Sequence, residues 1–261
     1  MDLTILGSGT GAPSLKRAPS SVLVKVAGRL LLFDFGPGIM RRLIEEGYDY
    51  QALDAIFLSH FHPDHTLDLW AYLFATLDPT FSRGRPVTLV ASRDFERLYE
   101  TMQQAYGHNL TPPEGLLQLI LLDQTRPNGP LEPPHLAGLK IQTAPASHKP
   151  ESMAFRLEAE GVSLVYAGDT DWSEPLIELS HEADWLILEA TRPEGQKING
   201  HLTPGLAGQL AAEAGAKNLI LTHFSSVYGR TNPRPAAEKE FPGRLVIAED
   251  GLRLVLNNPD S

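Results

Sequence analysis

Apolar runs of four or five residues recur from one end of the chain to the other, and they limit the folds open to it. They lie at residues 3–6, 22–26, 30–33, 55–58, 87–90, 117–121, 139–143, 154–157, 163–166, 185–188, 219–222, 244–247 and 252–256. Runs this short, rich in Leu, Val and Ile, predict strands. Between some of them lie stretches of helical period, at 40–46, 67–77, 95–106, 175–181, 206–214 and 236–241. The strands come first in hairpin-like pairs and then alternate with helices. The expected class is therefore α+β, with sheets covered by helices rather than one doubly wound sheet. Residues 125–138, TRPNGPLEPPHLAG, predict a loop between two halves of similar size. GSGTGAP, after the first strand, predicts a tight turn; it lacks the Gly-Lys-Ser/Thr ending of a phosphate-binding loop.

At the end of the 55–58 run stands LSHFHPDHTLDL, with His60, His62, Asp64 and His65 inside six positions. All four side chains can bind divalent metal. Pro63 disfavours helix at residue 62, so residues 60–63 read as loop and Asp64 falls near a helix start. Alternate residues of an extended loop share a face, which lets His60 and His62 address one ion. Asp64 and His65, beyond the bend, address another direction, so the spacing suits two adjacent ions better than one. Further ligands are needed from other strand ends. His148 in APASHKP, Asp169 in VYAGDTD and His223 in LILTHFSS each follow a predicted strand directly.

Composition narrows the chemistry. The chain has 261 residues, 42% of them apolar, enough to bury the core of one domain over residues 1–261. There is no cysteine, so disulfides, thiolate ligands and thiol nucleophiles are excluded, and any metal must be held by His, Asp or Glu. The formal net charge of -10 repels polyanions at long range. The N-terminus shows no basic start with a long apolar run, and no stretch approaches a membrane span. A soluble cytoplasmic protein without membrane partners is expected, and a homodimer stays open.

With these elements in place, the sequence resembles the metallo-β-lactamase superfamily, and within it ribonuclease Z and its smaller phosphodiesterase relatives. GSGTGAPSLKR, LLLFDFGPG, LSHFHPDH, ASHK, AGDT, LILEAT, GHLTP and LTHFS occur in the family's order, nearly end to end. The resemblance implies a four-layer αββα sandwich with a dinuclear site at one edge of its two sheets. His60, His62 and His148 would hold one ion, Asp64, His65 and His223 the other, with Asp169 bridging. Two divalent ions are implied, zinc foremost, with Mn2+ or Fe2+ as alternatives. The implied activity is hydrolysis by a metal-bound hydroxide that Asp64 orients or deprotonates. The expected substrate is a small anionic phosphodiester.

The chain also departs from the ribonuclease Z pattern. That family carries a long, basic, Gly-rich arm between its third histidine motif and the Gly-Asp motif; here a short hairpin, 153–167, separates His148 from Asp169. Pro37 replaces the usual acidic residue, Val227 an expected Arg, and Asp68-Leu69 a Gly-Leu pair. Transfer RNA is thus expected to be a poor substrate. Ribonuclease Z-type 3′ processing is the alternative, followed by arylsulfate or lactone hydrolysis. A di-iron redox protein would need a flavin partner or a further domain. A non-catalytic metal binder is disfavoured by the complete ligand set.

Other residues carry two readings. His201, in NGHLTP, is either part of a helix start beside the cap Thr203 or, by the resemblance, a catalytic acid or oxyanion stabiliser. Glu189 is a surface carboxylate or the partner that orients a site histidine. His108, His135 and His181 read as surface residues, although His108 could reach over the site. Trp70, Tyr72 and Phe74 read mostly as core. Lys16 and Arg17 lie in the loop that the resemblance places near substrate, and solvated charges are the alternative.

Overall fold

The computed structural model describes residues 1–81 and 85–257. Two seven-stranded sheets face one another. The first contains β1 (Asp2–Gly7), β2 (Ser21–Val26), β3 (Arg29–Phe33), β4 (Ala55–Phe57), β5 (Val87–Ser92), β6 (Leu117–Leu122) and β14 (Arg253–Val255), in the order β14-β1-β2-β3-β4-β5-β6. The second contains β7 (Asn128–Leu131), β8 (Lys140–Pro145), β9 (Met153–Ala159), β10 (Val162–Tyr166), β11 (Trp185–Glu189), β12 (Asn218–Thr222) and β13 (Arg244–Ile247), in the order β13-β12-β11-β10-β9-β8-β7. Both follow one plan. Strands β1 to β3 and β8 to β10 are antiparallel neighbours, while β3 to β6 and β10 to β13 run parallel.

Alternation along the strands explains the continuous apolar runs. In β2, Val22, Val24 and Val26 join the core between the sheets, while Leu23 joins the core under the helices. In β10, Leu164 and Tyr166 face the other sheet and Val165 the helical side. Strands buried on both faces have no polar side to show in the sequence. Phe33, Phe57 and Phe155 meet across the sheets, with centroids 5.4 Å apart for Phe57 and Phe155. Helices α1 (Ile39–Glu45), α2 (Pro63–Ala75) and α3 (Phe95–Tyr106) cover the first sheet. Helices α4 (Glu174–Leu179), α5 (Pro204–Glu213) and α6 (Arg234–Glu240) cover the second. The result is the expected αββα arrangement.

Three local expectations need correction. The 125–138 segment is not all loop: it contains β7 and a helical turn at Pro134–Leu136. β7 is an edge strand, where Pro130 is tolerated because no neighbour needs its N–H, and its exposure removes the apolar signature. GSGTGAP does not make a tight turn; it opens the longer connection between β1 and β2, in which Gly9 bridges to both Pro19 and Phe224. Residue 63, expected to end the loop, is already helical, because proline suits the first helical position; Asp64 lies near the start of α2 as expected.

Among the described residues, no helix is long and apolar enough to cross a membrane.

Candidate metal centre

The site lies where the parallel strands end. β4 is fully buried and stops at Phe57; Ser59 N–H then donates to Asp34 Oδ1 at 2.8 Å, which turns the chain outward. His60 and His62 follow in the loop, and Pro63 begins α2 with Asp64 and His65 in its first turn. The backbone of His65 is tied to the end of β3, since Phe35 N–H donates to its carbonyl at 2.8 Å. His148 follows β8, Asp169 follows β10, and His223 follows β12. Asp34 and His223 both have left-handed backbones, with φ of 58° and 59°. That conformation costs a side chain of this kind roughly 1–3 kcal/mol.

These residues converge in two groups. In one, His60, His62, His148 and Asp169 bring ligand atoms within 4.8 Å of one another; Asp64, His65 and His223 form the second. His148 Nε2 stands 3.2 Å from His62 Nδ1. Asp169 spans both groups: Oδ2 lies 3.9 Å from His60 Nε2 and from His148 Nε2, while Oδ1 lies 3.5 Å from His65 Nε2 and 3.3 Å from His223 Nε2. Asp64 Oδ2 is 3.8 Å from both His65 Nε2 and His223 Nε2. Ligands at zinc distances in tetrahedral geometry stand roughly 3.3 Å apart, so these separations suit an ion in each group.

Hydrogen bonding supports the same reading. Among the described residues, His60 Nε2, His65 Nε2, His223 Nε2 and Asp169 Oδ1 are buried with no hydrogen-bond partner. Buried polar atoms are seldom left so, and four at one point fit a cation. The other ring nitrogens are engaged. His60 Nδ1 lies 3.0 Å from Ser59 Oγ, His65 Nδ1 is 2.7 Å from Asp34 Oδ2, His148 Nδ1 is 2.8 Å from Gly200 O, and His223 Nδ1 is 2.7 Å from Thr191 Oγ1. A proton kept on Nδ1 leaves the Nε2 lone pair for metal.

Asp34 anchors one side of this network. Besides His65, it accepts from Ser59 N–H, Ser59 Oγ–H and Tyr166 Oη–H. Gly168 keeps the approach open, because a Cβ there would stand 2.4 Å from Ser59 Cβ. Glu189 anchors the other side and is fully buried, which removes its reading as a surface carboxylate. It accepts from Thr170 N–H at 3.0 Å, Thr191 N–H at 3.1 Å, Thr191 Oγ–H and His201 Nδ1–H at 2.7 Å. The Thr191 hydroxyl, donating to Glu189, is then free to accept from His223.

The electrostatics follow from burial among these charges. Burial holds His60 well below the ordinary imidazole range, with His65 and His148 adding to the effect. Burial also opposes charge on His65, but the Asp169 and Asp34 carboxylates outweigh it and raise that imidazole to about 10. For Asp169, the histidines led by His223 and His65 overcome burial and lower the carboxyl. His201 is desolvated yet raised, because Glu189 accepts its proton and carries the opposite charge.

Asp34, Ser59 and Thr191 carry parts of the site that were not assigned from the sequence. FDFG, a carboxylate directly after a strand, was a signal for Asp34, and Thr191 ends the LILEAT motif. Trp70 and Tyr72 are buried as expected, whereas Phe74 is exposed. Arg17 is structural: it donates to Ser8 Oγ and Ala248 O and lies over the Phe224 ring at 4.8 Å. His108 is exposed on the helical turn after α3.

Known proteins resemble this chain over nearly its whole length. The ribonuclease Z of Mycobacterium bovis (strain BCG / Pasteur 1173P2) is 28% identical over 274 residues, covering 96% of both chains. The metallo-β-lactamase fold protein YhfI from Bacillus subtilis superposes with a TM-score of 0.81 at 24% identity, over 97% of this chain and 98% of its own. The short form of human tRNase Z does so with a TM-score of 0.77 at 25% identity, over 98% of this chain and all of its own. The model of the β-lactamase superfamily domain matches residues 29–224, from the strand before Asp34 to the residue after His223. The chain belongs to the β-lactamase superfamily and has the metallo-β-lactamase fold.

Proposed function

We propose that the chain, a metal-dependent hydrolase of this superfamily, cleaves phosphodiester bonds of small or nucleotide substrates with two divalent ions, zinc foremost. The carrying observation is Asp169, whose Oδ2 faces the Nε2 atoms of His60 and His148 while its Oδ1 faces those of His65 and His223. His60, His62 and His148 would hold one ion and Asp64, His65 and His223 the other. When bound, such ions polarise the scissile ester and supply an acidified water as nucleophile.

The remaining chemistry belongs to the side chains. Asp64 and His201 are incompletely buried, so they line the open side of the site. Asp64 orients the attacking water or accepts its proton. His201, whose affinity for a second proton Glu189 raises, donates to the oxygen that gains charge. Two carboxylates, Asp64 and Asp169, offset only part of the charge of two dications. The pocket can therefore attract an anion although the surface is acidic.

Cleavage of transfer RNA at its 3′ end is the second reading, favoured by relatives named ribonuclease Z. The net charge of -10 weighs against an extended polyanion. Bis(p-nitrophenyl) phosphate, p-nitrophenyl phosphate, an aryl sulfate, a lactone and a precursor tRNA, assayed with the zinc-loaded protein, separate the readings. The diester should turn over fastest. Efficient, salt-sensitive trimming of the tRNA would establish the second reading instead.

A further inference from the structure

The loop joining β11 to α5 carries His201, touches His148, and is held by a side chain outside the ligand set. Asp171 offers Oδ2 to two donors, Gly200 N–H at 3.1 Å and Lys197 Nζ at 2.7 Å. Its Oδ1 accepts from Trp172 N–H at 2.8 Å, and its own N–H donates to Ser147 O at 2.8 Å. Ser147 immediately precedes His148, and Gly200 immediately precedes His201. One residue thus clips together the two segments that present these histidines.

Gly200 completes the connection. Its N–H, in the peptide with Asn199, is bound by Asp171, and its carbonyl, in the peptide with His201, accepts from His148 Nδ1–H at 2.8 Å. Gly200 has φ of +80°, and a Cβ there would stand 3.0 Å from His148 Nδ1. The residue therefore lies against the imidazole, and its position decides whether Nδ1 has an acceptor. A neutral imidazole without that acceptor is free to move its proton to Nε2, which cannot then bind metal.

We propose that Asp171 is a positioning residue: by anchoring Gly200 through its N–H it keeps the Gly200 carbonyl against His148, which holds that imidazole in the tautomer that can bind an ion, and holds His201 beside Glu189. The proposal rests on the two-ion reading above. Lys197 Nζ, at the solvent side, holds the carboxylate in place.

Zinc-loaded wild type, Asp171→Ala and Asp171→Asn, titrated against a chromophoric chelator, test this. Asp171→Ala should weaken one zinc by roughly 10–100-fold and leave the other within about threefold, the range typical when a ligand's hydrogen-bond partner is lost. The asparagine amide oxygen still accepts from Gly200 N–H, so Asp171→Asn should retain most of the affinity. The His148 Nδ1–H signal in 15N imidazole spectra of the zinc-loaded protein should shift or vanish only in Asp171→Ala. If the alanine variant does not fold, Asp171→Ser, too short to reach Gly200, should give the same selective loss. Unchanged affinity for both ions, equal weakening of both, or an asparagine variant as weak as alanine would overturn the clip. A wild type that binds fewer than two ions would overturn the underlying two-ion reading instead, so the two failures are distinct.

Discussion

His201 shows how a single side chain can be separated from its surroundings. Its ring is 2.7 Å from Glu189 and 3.9 Å from Asp169 Oδ2, close to both ion groups. If it stabilises charge in the transition state, His201→Ala should lower kcat by roughly 10²–10³, about 2.7–4 kcal/mol, as when one oxyanion donor is removed. KM should change less, because the interaction strengthens as charge develops. Zinc content, measured by elemental analysis, should stay at the wild-type level. Loss of an ion would make His201 a ligand; normal turnover with both ions kept would leave it only a part of the loop.

At the scale of elements, α5 lets the same loop be probed without touching the site. Thr203 is its N-cap and accepts from Leu206 N–H, and Pro204 occupies the first helical position. Thr203→Ala should cost about 1 kcal/mol in urea-induced unfolding, the usual loss of such a cap. It should leave zinc content and kcat near wild type, the reverse of His201→Ala. A fall in kcat with unchanged stability would show that the helix start itself bears on chemistry. The short connection of β9 to β10 belongs to this scale as well. It stands where the arm expected of a tRNA-processing enzyme would be.

For the whole molecule, the buried histidines couple metal, proton and folding. His65 is raised to about 10 when no ion competes for its Nε2, against 6.5 in an unfolded chain. That contribution to stability is fully present below pH 6.5 and is lost as pH rises through about 10. His60 is depressed instead, so its contribution is present above 6.5 and is lost as pH falls below that value. Chelated protein should therefore lose Tm on both sides of neutrality. Zinc-loaded protein should keep its alkaline stability, because the ion takes the place of the proton on His65. Calorimetry of both forms across pH checks this. An alkaline limb that is the same with and without zinc would show that His65 does not bind metal.

Much of this protein was legible without coordinates. The paired and then alternating runs indicated sheets under helices because period and length are local properties of the chain. HFHPDH pointed to candidate ligands because they lie together at one strand-to-helix junction, and His148, Asp169 and His223 because each directly follows an apolar strand. Pro63 marked the bend that sends His62 and His65 to different groups. β7 stayed hidden because an exposed edge strand has no apolar pattern. The matching plans of the two sheets stayed hidden because strand order is a property of pairing, which many sequences satisfy. Tertiary structure alone decided that Asp34, Ser59, Thr191 and Glu189 hold the Nδ1 atoms, and that Arg17 packs on Phe224 rather than waiting for substrate. Apart from the bond between the neighbours Ser59 and His60, those contacts join separate segments of the chain, and a hydrogen bond between such segments leaves no local trace in the sequence.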